Sequence, residues 1–181
     1  MRFRRYAAAT LTLLLSGSLW LSARESDAAA DLHEGRSVPS VVEGEHRELQ
    51  EKLNKLVKAG GDTGRAAHAV ETLLRPHFIK EEQFALPPLR ALPQLASDQL
   101  PGDAKELVRL ADQLSRDMPV MLAEHEKIHG ALRGLQMAAE KEGKPEGAQF
   151  AKALSAHAAM EEQVLYPAAV LVGKYLKLKA R

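Results

Sequence analysis

A stretch of eleven residues that carries a histidine and two glutamates occurs twice in the chain. Residues 77–87 read HFIKEEQFALP and residues 157–167 read HAAMEEQVLYP, so both follow the pattern His-x-x-x-Glu-Glu-Gln-x-x-x-Pro. On a helix, residues four apart differ by only about 40° in azimuth and about 6 Å along the axis. Each copy therefore places an imidazole beside a carboxylate. The two pairs are His77 with Glu81 and His157 with Glu161.

The apolar residues around both pairs put them on the core side of their helices. Apolar residues precede and follow each pair at helical spacing, namely Val70, Leu73, Leu74 and Phe84 for the first, and Phe150, Leu154 and Val164 for the second. A His–Glu pair on a helix surface is the ordinary interpretation and contributes only a few tenths of a kcal/mol. A carboxylate without a partner is too costly to bury, so a cation is expected between the helices. The second glutamates, Glu82 and Glu162, lie about 100° further round and are expected to face solvent.

Three further histidines lie on the apolar faces of two other predicted helices. His46 shares its face with leucines that include Leu49, although a lone core histidine is most often only hydrogen-bonded. His125 and His129 stand four residues apart in the motif EHEKIH, and both are expected to face the core. Two imidazoles one turn apart indicate a metal site, with a pair of surface histidines as the alternative.

The amino-acid composition and the helix start and stop signals favour an all-α fold. Only 4% of the 181 residues are aromatic, while Leu, Ala, Glu and Lys are abundant. Apolar stripes predict helices over 40–60, 63–85 and 103–142 and a fourth after 145, with Ser40 and Glu43 forming a capping box at the first start. The 88–102 connection is expected to hold a short helix that covers one end of the bundle. We expect an antiparallel up-down four-helix bundle, with a short C-terminal helical extension after a bend or break at Pro167.

The first thirty residues are typical of an N-terminal signal segment. Arg2, Arg4 and Arg5 precede an apolar run at 7–21, and small residues follow at 28–30. The predicted organisation is a signal peptide at 1–30, a flexible lead-in at 31–39 and a bundle domain at 40–181. The protein is then expected to be exported, to the periplasm, with no stable membrane insertion after leader removal. An uncleaved anchor and a twin-arginine signal at Arg4-Arg5 remain alternatives.

Composition also restricts the chemistry. The chain has no cysteine, which excludes disulfides, thiolate ligands and a lipoprotein anchor. Its 25 basic and 24 acidic residues do not favour a nucleic-acid partner. The seven candidate metal ligands are His46, His77, Glu81, His125, His129, His157 and Glu161. Seven donors exceed what one tetrahedral zinc needs and suit two octahedral ions bridged by carboxylates, with iron preferred over manganese or zinc.

The order His, His-x-x-x-Glu, His-x-x-x-His, His-x-x-x-Glu on four successive helices resembles the hemerythrin-like (HHE cation-binding) domain, over about residues 40–170. The resemblance implies the following roles: His125, His129 and His157 bind one iron, His46 and His77 bind the other, Glu81 and Glu161 bridge them, and Leu49 and Leu154 wall a ligand pocket. Oxygen-carrying hemerythrins typically have an aspartate five residues after the last histidine. Here Glu161 stands at four and Glu162 at five, so either glutamate remains a candidate bridge.

Together with the predicted leader, the resemblance implies an exported non-haem di-iron protein that binds, senses or buffers dioxygen or related small oxidants. One alternative is a di-iron enzyme acting on peroxide or nitric oxide. Since the sequence shows no distinct acid–base residue for turnover, a non-enzymatic role is favoured. A second alternative is a metal-storage or metal-stabilised structural protein. No protein partner is indicated.

Overall fold

A computed structural model describes residues 38–180, and the predicted signal segment and most of the lead-in lie outside these described residues. The described part is all-helical, without strands. None of its helices is both long and apolar enough to cross a membrane.

The first two helices are joined by a tight turn. Helix α1 spans Ser40–Lys58 and α2 spans Gly61–Lys80. Gly60 and Gly61 both have positive φ, which glycine adopts without steric cost. The capping-box prediction is wrong, because α1 is preceded by Pro39 and has no side-chain cap. The carbonyl of Pro39 accepts the backbone bond from Val42 instead, at 2.8 Å.

A π-helical turn occurs in the second half of each motif copy, over Glu81–Ala85 and Glu161–Leu165. The N–H of Leu86 donates to the carbonyl of Glu81, and that of Tyr166 donates to the carbonyl of Glu161. Each turn thus takes one extra residue, so that the fifth residue after each glutamate, rather than the fourth, lies one turn above it. A 3.6-residue period does not predict this change of phase. It also leaves Val164 exposed, against the sequence expectation.

The remaining elements follow the predicted order. After α2, a 3₁₀ turn at Pro87–Ala91 and a short helix α3 at Leu92–Ala96 lead into α4 at Ala104–Glu142. Helix α5 spans Pro145–Met160 and α6 spans Tyr166–Lys179. Pro167 lies in the first turn of α6, where proline is tolerated, so the helical path continues past it.

Four helices pack in a closed ring: α1 on α2, α2 on α4, α4 on α5 and α5 on α1. Glu142, at the end of α4, accepts hydrogen bonds from the backbone of Asp62 and Thr63 at the start of α2, so these two helices run antiparallel. One apolar cluster includes Leu49 and Ile128, and a second includes Val42 and Met121. Between these flanking residues, His46 and His125 occupy a polar layer in the middle of the bundle.

Candidate metal centre

Six of the seven predicted ligands meet in this layer. They are His46, His77, Glu81, His125, His157 and Glu161. Five are almost fully buried, and the side chain of His157 is 11% exposed. His129 is partly buried and lies outside both groups of candidate ligands. The reason is that the buried stripe of α4 passes from His125 to Ile128, three residues on, and His129 lies about 100° further round.

The first group of candidate ligands gathers around His77 and His125. The Nε2 atoms of these histidines are 2.7 Å apart. Glu81 Oε1 lies 3.3 Å from His77 Nε2 and 4.0 Å from His125 Nε2. Glu161 Oε2 lies 3.5 Å from His125 Nε2. Two imidazoles and two carboxylate oxygens therefore face one point.

The second group gathers around His46 and His157, on the other side of the same two carboxylates. Glu161 Oε1 lies 2.9 Å from His157 Nε2 and 3.5 Å from His46 Nε2, and Glu81 Oε2 lies 3.6 Å from His46 Nε2. Each glutamate thus turns one oxygen toward each histidine pair. The grouping differs from the one implied by the resemblance, which placed His46 with His77 and His125 with His157.

The donor set fits cations. Neighbouring ligands of an octahedral ion with bonds of about 2.1 Å lie about 3 Å apart, and the separations in both groups, from 2.7 to 4.0 Å, are within about 1 Å of that distance. Glu81 Oε2 and His157 Nε2 are buried without a hydrogen bond. The 2.9 Å between His157 Nε2 and Glu161 Oε1 is close enough, but the hydrogen-bonding geometry is not met. Buried polar atoms are rarely left unbonded, and a cation would satisfy both.

The charges in this layer depend on one another. Burial alone would raise the pKa of Glu161, but His125, His157 and His46 hold it well below its usual range. Burial alone would lower the pKa of His46 and of His77, yet in each case the neighbouring glutamates raise it above the ordinary value. Ionised carboxylates in a buried setting need positive partners, which imidazolium groups or metal ions supply.

A second carboxylate lies behind each imidazole, on the Nδ1 side. The four contacts are His46 with Glu82 at 2.9 Å, His77 with Glu124 at 3.0 Å, His125 with Glu162 at 2.7 Å and His157 with Glu45 at 3.6 Å. A carboxylate at Nδ1 favours the tautomer whose Nε2 lone pair points to a metal. Glu82 and Glu162 do not simply face solvent as predicted. A side chain about 100° from the core-facing direction of a bundle helix points at the neighbouring helix.

These outer contacts close a ring around the bundle. Each carboxylate comes from the neighbouring helix of the ring or from the π turn that continues it. Glu45 lies on α1 and Glu124 on α4, whereas Glu82 lies in the π turn after α2 and Glu162 in the π turn after α5. The two halves of the chain are equivalent in this respect, because the second glutamate of each motif copy contacts a buried histidine of the preceding helix, His46 or His125. Glu45 and Glu124 were missed from the sequence. Their signal was the Glu-His pair that occurs at 45–46 and again at 124–125.

Tyr166 is a further component that the sequence analysis missed. It is fully buried, and its hydroxyl donates a hydrogen bond to Glu81 Oε1 at 2.5 Å. The hydroxyl oxygen of Tyr166 also lies 3.4 Å from His77 Nε2 and 3.5 Å from His125 Nε2. Burial and the nearby carboxylates raise the pKa of Tyr166 well above its usual range, so the phenol remains a neutral donor. Its counterpart in the first motif copy is Leu86.

Apolar side chains flank the layer. Phe78 stacks face to face on the ring of His46, with centroids 3.9 Å apart. Leu49, a predicted pocket wall, lines a groove that also reaches His157. Leu154, the other predicted wall, is buried in the apolar cluster beside the layer.

The family of the chain is shown by its sequence as a whole. Residues 37–169 of the 181 match the family described as "Hemerythrin HHE cation binding domain". The chain therefore belongs to the hemerythrin HHE family, in agreement with the resemblance seen in its motifs. Neither the curated proteins nor the solved structures contain a match. Family membership and the buried His/Glu layer together support metal binding.

Proposed function

We propose that the protein is a non-haem di-iron protein that binds, senses or buffers dioxygen or related small oxidants. The observation that supports this most strongly is the position of Glu81 and Glu161, each with one oxygen toward each histidine pair. Two cations held in this way would each have two imidazoles and two carboxylate oxygens. Four protein ligands leave positions for a small ligand on an octahedral ion.

The donor chemistry favours iron. Imidazole and carboxylate without sulfur suit iron or manganese, whereas zinc prefers a closed set of four ligands in structural sites. A pair of irons would supply electrons to a bound oxidant. The residues of the chain would hold the ions, fix the imidazole tautomers through the outer carboxylates and exclude water through the apolar clusters on either side.

We also propose, from the sequence alone, that the protein is exported to the periplasm and that residues 1–30 are its leader. Cell fractionation and determination of the N-terminal residue of the mature protein test this. A mature chain that begins at or near Asp31, recovered from the periplasm, is the expected result. A chain that retains Met1 and stays in the cytoplasm would contradict the proposal.

Metal analysis of protein isolated from its native compartment tests the di-iron proposal. We expect two irons per chain, and an absorption spectrum typical of oxo-bridged ferric iron that His77→Ala abolishes. His68→Ala is the matched control, because His68 lies on the same helix and is exposed. His129→Ala should also retain both irons. Zinc or manganese in the native protein, without oxygen chemistry, would instead support metal storage or a structural role.

A second candidate function is turnover of peroxide, which Tyr166 favours. Its buried hydroxyl, which donates to Glu81, is a polar hydrogen beside the site that the sequence analysis did not identify and that would support turnover by stabilising the charge on Glu81. The test is the rate of peroxide consumption by iron-loaded wild-type protein and by Tyr166→Phe at equal iron content. Turnover that falls at least tenfold in the variant supports an enzyme. No turnover by the wild-type protein excludes this candidate.

A further inference from the structure

A groove of about 300 Å³ runs between α1 and α5 and ends on the candidate metal site. Its lining includes Glu45, Leu49, Ala153, Ala156, His157 and Met160. Ala153, Ala156 and Met160 are exposed, and small alanine side chains leave the groove open along α5. His157 is the candidate ligand that lines the groove. Its Nε2 atom is buried and His46 is 2% exposed, so the groove reaches the ring of His157 and stops one side chain short of the point that the pair faces.

His157 has the loosest outer contact of the site. His157 is the most exposed of the six candidate ligands, and its 3.6 Å separation from Glu45 is the longest of the four outer contacts. The side chain of Glu45 is itself 55% exposed, whereas those of the other three outer glutamates are between 24% and 44% exposed. The outer ring is thus weakest between α5 and α1, where the groove lies.

The other histidine pair is closed. His77 and His125 are each 1% exposed, and neither lines the groove. The hydroxyl of Tyr166 lies within 3.5 Å of the Nε2 atoms of both and bonds to Glu81. A small molecule that approached this pair would have to displace a buried, hydrogen-bonded phenol. The two halves of the site are therefore inequivalent, although their histidine and glutamate ligands are nearly symmetric.

We propose that small ligands reach the site through the α1–α5 groove and bind beside His46 and His157, while Tyr166 closes the half formed by His77 and His125. The inference rests on the proposed di-iron function. It adds the route by which small ligands enter and leave the site. Two glutamates, Glu45 and Glu48, and one lysine, Lys52, line the groove, so these three side chains carry a net negative charge. A negative mouth favours neutral molecules of two or three atoms over anions.

Azide is a suitable probe, because its binding to ferric iron changes the visible absorption and can be followed by stopped-flow mixing. Ala156→Phe places a ring in the groove, and Ala153→Phe repeats the test one turn away. The matched control is Ala148→Phe, the same substitution on the same helix, which faces the groove between α4 and α5. We expect azide association to slow at least tenfold in the first two variants and to stay within twofold of wild type in the control.

The charge of the residues that line the groove allows an independent test of the route. Glu48→Gln removes a negative charge from the groove without touching a candidate ligand or an outer carboxylate. It should speed the association of azide at low salt by about threefold, and the gain should vanish at high salt, since screening removes the repulsion. Association of neutral nitric oxide with the ferrous protein should stay within twofold of wild type. An unchanged azide rate at low salt would argue against this route.

The metal content of every variant separates the two ways in which the inference can fail. If wild-type protein does not bind two irons, the proposed function fails and this inference fails with it. If all variants bind two irons but Ala156→Phe and Ala153→Phe take up azide as fast as Ala148→Phe, only the access route is wrong.

Discussion

Removal of the carboxylate behind His125 should weaken metal binding by a calculable amount. Glu162 Oε1 lies 2.7 Å from His125 Nδ1, and its side chain is 32% exposed. Loss of such an outer partner typically lowers metal affinity 10- to 100-fold, or by about 1.4–2.7 kcal/mol. A hydrogen bond to a charged group contributes about 1.5–3 kcal/mol when buried, and partial exposure reduces it. We therefore expect Glu162→Ala to weaken iron binding by roughly 10- to 30-fold.

The assay is an anaerobic titration of the metal-free protein with ferrous iron in competition with a chelator. Glu162→Gln should lie between wild type and Glu162→Ala, because the amide oxygen still accepts the imidazole N–H but carries no charge. Glu126→Ala is the control, since Glu126 is exposed on the same helix as His125. Equal affinities for Glu162→Ala and Glu126→Ala would refute the argument that outer carboxylates tune this site.

Two further predictions concern the bundle itself. Hydrogen bonds from the Thr63 hydroxyl, Lys144 and the α2 backbone hold the pKa of Glu142 well below its usual range, so Glu142→Gln should lower Tm at pH 7. The stabilisation by ionised Glu142 is complete above the unfolded-state pKa of a glutamate, about 4.3, and is lost as the pH falls toward the lowered pKa of the folded state. The Tm difference between wild type and Glu142→Gln should therefore shrink between about pH 5 and pH 2. A Cβ at Gly173 would lie 2.3 Å from the Cβ of Ala111, so Gly173→Ala should cost about 1–3 kcal/mol in urea unfolding. Gly134→Ala, with open space around it, should stabilise by about 0.5–1 kcal/mol, and equal effects of the two substitutions would contradict the α4–α6 packing.

The helices and most of the ligand layer could be predicted because they depend on local spacing. Apolar stripes, glycines and prolines fix where helices form, and a histidine and a glutamate four residues apart share a helix face regardless of their tertiary surroundings. The same reasoning misplaced His129. A spacing of four residues from His125 does not by itself place a side chain in the core. The buried residues of a bundle helix alternate steps of four and three, and on α4 the residue buried after His125 is Ile128.

Other features depend on tertiary contacts or irregular backbone. Tyr166 stands five residues after Glu161, which is about 140° away on a regular α-helix, and only the π turn brings it one turn above that glutamate. Glu82 and Glu162 appear solvent-directed on an isolated helix. Their histidine partners belong to neighbouring helices, and helical spacing within one segment says nothing about those contacts.

The proposed function requires that Glu81 and Glu161 together hold two iron ions. Mössbauer spectroscopy of the iron-57-loaded ferric protein, together with metal analysis, tests it most directly, because bridged ferric ions couple magnetically. We predict two irons per chain with a diamagnetic ground state in the wild-type protein, and fewer than two irons per chain in Glu161→Gln, because this glutamate would hold both ions. One iron per chain, or two irons that behave as isolated paramagnetic ions, would contradict the claim.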